Sequence, residues 1–421
     1  MSEIIKLDYV TKIEGHAKLN VKIDNNKVKD VKLEIYEGAR FFEDLVKGYE
    51  IKHVPIVTSR ICGMCSCAHQ IASCEALEDA YGIKASTQTK KLRKVLLDAS
   101  IIQSHVMHLF FMVLPDYYGC SNAIELARDK KDVINTGIKV LSLSKKILEI
   151  IGGREVHSVT LRVGRVIAKP SQEEINKLYS ELVSEFDDIY SKFVDIFSNL
   201  THREFESDSN FIALDKNKIK TFEGEVYNLN HYISDINYKI KNYSSSKFIK
   251  LNNKNVITSP LSRLNLNYKK YQKRTKEFFK CLNVKLPSRN PFDNNCAQAI
   301  EIIDCFERCI NTLGKLKIKD EKKKEFETDK DICGLSCIDV ARGFLIHEYE
   351  IEKGVVKKCK IITPTTQNIQ SIEDDIKKLL PEILDKSREE ITMFIESLIR
   401  AYDPCISCST HFLKVNWEVG K

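Results

Sequence analysis

Arg60-Ile61-Cys62-Gly63-Met64-Cys65-Ser66-Cys67-Ala68-His69 carries a C-x-x-C pair followed by a histidine. Asp403-Pro404-Cys405-Ile406-Ser407-Cys408-Ser409-Thr410-His411 carries a second such pair near the other end of the chain. Two residues between cysteines let both thiolates turn toward one cation, and soft thiolates select zinc, copper(I), nickel or iron over magnesium or calcium. Local zinc modules set their pairs about 15–20 residues apart; here most of 421 residues intervenes. A site joining the two pairs is therefore built by the whole fold. Spacing alone leaves a four-cysteine zinc site open beside a functional centre. A thiol-exchange role fits less well, because such a motif works alone beside a helix N-terminus.

The composition narrows the class. A chain of 421 residues, 43% apolar and 30% charged, can bury a large core. The 66 Lys and Arg against 59 Asp and Glu leave +7, with no basic stripe of the kind a nucleic acid needs. No run of about 18 uncharged apolar residues is present, so no membrane span is expected. Met1–Val10 lacks the basic and then apolar pattern of a secretory signal, so a cytoplasmic location is expected. There the 14 cysteines are reduced thiols, metal ligands or catalytic groups, not a disulfide scaffold.

Alternating side chains predict strands over 4–10, 17–23 and 28–36. Apolar groups at three- and four-residue spacing predict helices over 68–80, 91–114, 121–150, 171–199, 297–314 and 371–402. Strands return at 157–163, 344–351 and 356–363, the last two joined at Lys353-Gly354. Residues 205–290, rich in Asn, Lys, Tyr and Ser, read as an irregular surface segment. The Lys-rich runs at 239–254, 269–276 and 315–324 read as solvated faces. The expected fold is α+β, mainly α, in one unit.

The two pairs with their flanks resemble the large subunit of nickel–iron hydrogenases, and further stretches agree in order. Thr11-Lys12-Ile13-Glu14-Gly15-His16 is similar to that family's R-I-E-G-H element, and Ser104-His105-Val106-Met107-His108-Leu109 to its histidine-rich helix. Asp339-Val340-Ala341-Arg342-Gly343 resembles its E-A-P-R-G loop, and Pro364-Thr365-Thr366-Gln367-Asn368 its P-S/T-T-x-N turn. The resemblance runs from residue 11 to residue 411 and implies the hydrogenase large-subunit fold, a central helix bundle with small peripheral β elements. It divides 1–421 into a β region (1–37), a helical core (38–204), the irregular segment (205–290), a second helical part with a hairpin (291–411) and an extension (412–421).

The resemblance also implies reversible heterolytic cleavage of H2 to protons and electrons. Cys62, Cys65, Cys405 and Cys408 would hold nickel, with Cys65 and Cys408 bridging to an iron that carries CO and two cyanides. Cys405 would be the base for the released proton and Glu14 the carboxylate that relays it, with a pKa raised by burial and like charge. Arg342 would overhang the open metal position and hold one cyanide; Thr365 would donate to the other, and Leu345 would pack near the CO. Asp403 would orient Arg342, and His69 would hydrogen-bond a bridging thiolate. Glu43, from Arg40-Phe41-Phe42-Glu43, with His411 and the carbonyl of Ile361 would bind Mg2+ or Fe2+. His105 and His108 share one helix face and read equally as structural or as neighbours of the site. Cys67 reads as a bystander. Cys74, Cys120, Cys281, Cys296, Cys305, Cys309 and Cys359 read as small buried hydrophobes, and Cys333 and Cys337 precede the Arg342 loop.

Lys12, Ala341, Ser104 and Arg165 depart from the commoner family pattern, where arginine, proline, aspartate and glycine stand. None of them removes a ligand. Asn290-Pro291-Phe292-Asp293-Asn294-Asn295, with the stretches through Arg40–Glu43 and Gln103-Ser104-His105, is most similar to the cytoplasmic NAD(P)-linked enzymes also called sulfhydrogenases. Hydrogenases linked to the deazaflavin coenzyme or to heterodisulfide reductase, and an inactive hydrogenase-like scaffold, are the alternatives. The implied partners are an iron–sulfur small subunit, diaphorase-type electron-transfer subunits, nickel-insertion proteins and an endopeptidase that cuts between His411 and Phe412.

Overall fold

A computed structural model describes residues 2–25, 27–38, 40–201, 203–321 and 330–410. At its centre runs the helix Thr87–His108, begun by Ser86, whose hydroxyl accepts the amide of Thr89. Leu92, Val95, Ala99, Ile102 and Val106 recur along it at three- and four-residue spacing, all buried, under the helices Lys131–Gly152 and Asp293–Leu313. The helix widens into a π turn at Leu109–Val113 and ends with Leu114–Tyr117. Thr87–Tyr117 is long and apolar enough to cross a membrane, but 83% of its most apolar window is buried inside this protein. The long helix Gln172–Phe197, opened by a Ser171–Glu174 capping box, closes the bundle against Lys131–Gly152 and Asp293–Leu313.

Small sheets surround these helices. Ser2–Leu7, Ala17–Asp24 and Lys27–Ile35 form an antiparallel meander, with Leu19, Val21, Leu33 and Ile35 turned inward. The strand Lys27–Ile35 packs on the helix Pro364–Leu379. Near the C-terminus Ile332–Val340, Gly343–Glu352 and Val355–Ile362 form a second antiparallel sheet. Its first turn is Ala341-Arg342, between the paired residues Val340 and Gly343. Its first strand, not anticipated from the pattern, lies along the helix Ser66–Ala80, so the Arg342 turn is brought to the end of that helix where the first cysteine pair sits.

The irregular surface segment expected over 205–290 is overturned. Val256–Thr258, Asn210–Asp215, Lys218–Thr221 and Val226–Asn228 form a four-stranded sheet in that order, its first pair parallel. Ile236–Ile240 pairs with Lys247–Leu251, and the helices Leu229–Asp235, Pro260–Asn267 and Lys273–Lys280 lie between and after. Phe211, Ile212, Ile219, Ile249, Val256 and Leu264 are buried. The elements are short and separated by Asn- and Lys-rich turns, so composition conceals their periodicity.

Three further boundaries differ. Residues 371–402 hold two helices, Pro364–Leu379 and Arg388–Ala401; Pro381 cannot continue the first, and a Ser387–Glu390 capping box opens the second. Residues 121–150 likewise divide into Ala123–Asp129 and Lys131–Gly152. The strand predicted over 157–163 is reduced to Leu161–Arg162, paired with Arg165–Val166.

Candidate metal centre

A short 3-10 turn, Ser59–Ile61, delivers Cys62, and Cys65 sits at the N-terminus of the helix Ser66–Ala80. At the other end of the sequence Cys405 precedes a single helical turn, Ile406–Ser409, that carries Cys408. The four sulfurs lie within 4.8 Å of one another; Cys62 and Cys405 approach to 3.4 Å and Cys405 and Cys408 to 3.0 Å. Arg40 clasps the two segments, donating from Nη2 to the carbonyl of Ser407 at 2.6 Å and to that of Ile61. The sequence marked Arg40 only as a flank of Glu43; its place in an R-x-x-E stretch was the available signal.

Four thiols this close, three of them buried and Cys65 half-buried, cannot ionise alike. Cys65 accepts hydrogen bonds from Cys405 and then Cys408 and lies well below the ordinary thiol range, whereas burial and the neighbouring sulfurs push Cys405 well above it. A soft cation replacing the protons satisfies all four. Beside the sulfurs is a small, nearly closed-up cavity of ≈ 10 Å3. Cys65, Cys408 and Cys405 line it, with His69, Arg342, Leu345 and Thr365, and Cys62 does not. The four-sulfur donor set fits nickel, and the cavity that Cys65, Cys405 and Cys408 line is where a second metal would adjoin it.

Arg342 forms one wall. Its Nη2 meets Asp403 Oδ1 at 2.8 Å, its Nε donates to the Asp403 carbonyl at 2.7 Å, and its Nη1 reaches Ser104 Oγ at 3.0 Å and Cys65 Sγ at 3.7 Å. Burial opposes the charge, but Asp403 and the cysteine sulfurs outweigh it and keep the guanidinium ionised. Asp403 has φ 48°, a left-handed conformation that a non-glycine residue keeps only where its surroundings hold it; Gln298 Nε2 also donates to its Oδ2 at 2.9 Å. Thr365 Oγ1 accepts the amide of Cys405 at 3.0 Å, which leaves its own hydroxyl hydrogen for the pocket.

His69 Nε2 lies 3.7 Å from Cys408 Sγ, and its Nδ1 3.0 Å from His347 Nε2. His347 Nδ1 in turn meets Tyr349 Oη at 2.8 Å, and that hydroxyl donates to Ser73 Oγ at 3.0 Å. His347 and Tyr349 went unnoticed in the sequence, although Leu345, His347 and Tyr349 share one strand face. His105 and His108 both face the helix Asp293–Leu313, His105 on Glu301 at 3.0 Å and His108 on Gln298 at 2.6 Å.

Glu14 runs beside the second pair: its carbonyl accepts the amide of Ile406 and its Oε2 that of Ser407, both at 3.0 Å. Gly15 permits this approach, since at φ 86° a Cβ there would lie 2.6 Å from Ile406 Cβ. Burial and then the Cys62 charge push the Glu14 carboxyl up. The sulfur that meets Glu14 is Cys62, 4.0 Å from Oε1. Glu43 and Ile361 also come together, but through the Ile361 amide, which donates to Oε1 at 2.8 Å. Lys247 Nζ pairs with Glu43 Oε2 at 2.7 Å. His411 lies outside the described residues. Cys67 stands apart from the sulfur cluster, its thiol pushed up to about 12 by burial. Cys281, expected to be buried, is exposed, and Cys359 is half-buried.

Residues 40–138 and 199–411 match the nickel-dependent hydrogenase family, and residues 4–37 a HoxL-like family. Sulfhydrogenase 1 subunit alpha of Pyrococcus furiosus is 30% identical over 98% of each chain. The HoxS subunit beta of the NAD-reducing hydrogenase of Cupriavidus necator is 24% identical over 98% of this chain and 96% of its own. The fold superposes on the crystal structure of an NAD+-reducing nickel–iron hydrogenase in the H2-reduced state with a TM-score of 0.81, at 22% identity over 97% of this chain and 99% of that one. With the four converging sulfurs, these matches establish that the chain belongs to the nickel-dependent hydrogenase family, as a large catalytic subunit that binds nickel and iron.

Proposed function

We propose that this chain is the H2-activating subunit of a cytoplasmic, sulfhydrogenase-type complex that passes electrons to an iron–sulfur small subunit and on through diaphorase-type subunits to NAD(P). The observation that carries the reading is the convergence of the sulfurs of two remote pairs within 4.8 Å, next to a cavity that Cys65, Cys405 and Cys408 line with Arg342. Identity of 30% to a sulfhydrogenase alpha subunit supports the subtype.

In this reading Cys62, Cys65, Cys405 and Cys408 would hold nickel, and Cys65 and Cys408 would also be ligands to an iron carrying CO and two cyanides. When bound, that pair of metals supplies the soft, redox-active centre at which H2 is split heterolytically. Cys405 would be the base for the released proton, with Cys62 Sγ 3.4 Å away and next to Glu14. Glu14, in contact with Cys62 and held by the amide of Ser407, passes it outward. Arg342, kept charged by Asp403, and Thr365 are the donors available to the cyanide nitrogens, and Leu345 packs beside the CO. His69 would face the Cys408 thiolate with Nε2. Glu43, the Ile361 carbonyl and His411 would take Mg2+ or Fe2+; the fit is incomplete, because Lys247 already neutralises Glu43. Nickel-insertion proteins would load the site, and an endopeptidase would then remove Phe412–Lys421.

Infrared spectroscopy of the complex, purified anaerobically with its partners, tests the reading. Bands of iron-bound cyanide and carbonyl that shift under H2 are the expected result. Their absence from a nickel-replete, tail-processed preparation would overturn it.

A further inference from the structure

Ala341 stands where the resembling family has a proline, so the backbone beside Arg342 lacks that ring's restraint. Instead a buried arginine grips it. Arg263, only 7% exposed, donates from Nη1 to the carbonyl of Gly343 at 2.6 Å and from Nη2 to that of Ala341 at 3.3 Å. The peptide group before Arg342 and the one after Gly343 are thus tied to one rigid guanidinium. Gly343 is pinned from the other side: at φ 141° it packs against Thr258, leaving no room for a Cβ, and Asn368 bonds both the amide and the carbonyl of Thr258 at 2.9 Å.

The grip has an anchor. Glu301, 5% exposed, takes Arg263 Nε and Nη2 on its two oxygens at 2.6 and 2.7 Å. Its Oε2 also meets His105 Nε2 at 3.0 Å. His105 is the neighbour of Ser104, the residue on which Arg342 Nη1 rests. One carboxylate therefore braces both ends of the Arg342–Ser104 contact, through Arg263 to the turn and through His105 to the helix Thr87–His108. A buried ion pair of this kind contributes little net stability, but a planar fork with two carbonyl contacts fixes geometry.

We propose that Arg263 and Glu301 are positioning residues that set the Arg342 guanidinium over the pocket in place of the missing proline restraint. The inference rests on the reading that Arg342 acts at the metal centre, so Arg342→Lys is measured alongside. All variants are made in the complete complex, with turnover expressed per nickel. Arg263→Lys keeps the charge and loses the fork; kcat for H2 oxidation is expected to fall on the order of tenfold with KM unchanged. Hydrogen exchange over residues 338–346, which needs no turnover, is expected to quicken by about tenfold. Adding Ala341→Pro, which suits the first turn position, should restore both to within about threefold. Arg263→Gln with Glu301→Gln removes the pair without stranding a charge and serves where the single variant does not accumulate. Unchanged exchange and turnover in these variants, or no rescue by the proline, overturns the proposal. Full activity in Arg342→Lys would instead overturn the reading beneath it.

Discussion

The sulfurs of Cys62 and Cys405 lie 3.4 Å apart across 343 positions of sequence. That contact exists only when the N-terminal meander, the helix Ser66–Ala80 and the last helical turn are all in place, with Arg40 tying Ile61 to Ser407. Metal binding and closure of the fold are therefore one equilibrium. Cys408→Ser, which removes a sulfur from both the cluster and the pocket wall, is expected to lose at least about nine-tenths of the nickel and to lower the melting temperature of the purified chain. Elemental analysis of the anaerobic protein checks this; full nickel occupancy would show that three sulfurs suffice.

His347 completes the hydrogen bonding of His69, whose other ring nitrogen lies 3.7 Å from Cys408 Sγ. Replacing it by phenylalanine preserves ring volume and leaves His69 Nδ1 buried with one partner fewer. The cost should be about 1–3 kcal/mol of stability, with a further loss of turnover, on the order of tenfold, from the freed His69 ring. Denaturant melts and H2 oxidation per nickel read the two effects separately. Wild-type values in both would make the His69–His347 contact incidental.

The residues of the candidate centre were legible in the sequence because each sits in a local motif. Each C-x-x-C pair, Glu14, Arg342 and Asp403 sits in a short motif whose residues the fold brings to one place. What escaped notice joins elements far apart in the chain: Arg40 to Ser407, Arg263 to the Ala341-Arg342-Gly343 turn, and His69 to His347. Nothing at Arg263 distinguishes it from a surface arginine until the turn packs over it. The long helices announced themselves by their period, whereas the strands between Asn210 and Thr258 hold three to six residues each, too few for an alternation to stand out.

Glu14 is held by the amide of Ser407 and faces Cys62, so Glu14→Gln retains shape and the amide contact but cannot carry a proton as a carboxyl does. Turnover per nickel should fall on the order of 10²–10³-fold, with nickel content and melting temperature unchanged. H2 oxidation assayed with an artificial electron acceptor, which bypasses the partner subunits' own acceptor, isolates the step. A loss below about threefold would mean that protons leave by another route.

Asp375 supplies a pH test at a single buried carboxyl. It is buried, accepting hydrogen bonds from Tyr402 Oη at 2.5 Å and Ser207 Oγ at 2.9 Å. Burial outweighs both bonds and pushes its carboxyl up to about 7. In the unfolded chain an aspartate titrates near about 3.9. Below that pH both states hold the proton; between about 4 and about 7 only the folded chain does, so this contribution to stability is lost as the pH rises through the window. Above it the carboxylate is ionised in both states and the penalty is complete. Asp375→Asn stays neutral, accepting from one hydroxyl and donating to the other as the protonated acid would. Between pH 4.5 and 8 the variant should therefore gain about 1–4 kcal/mol relative to the wild type. Denaturant melts of both proteins across that range give the answer, and parallel curves would mean that Asp375 titrates as an ordinary carboxylate.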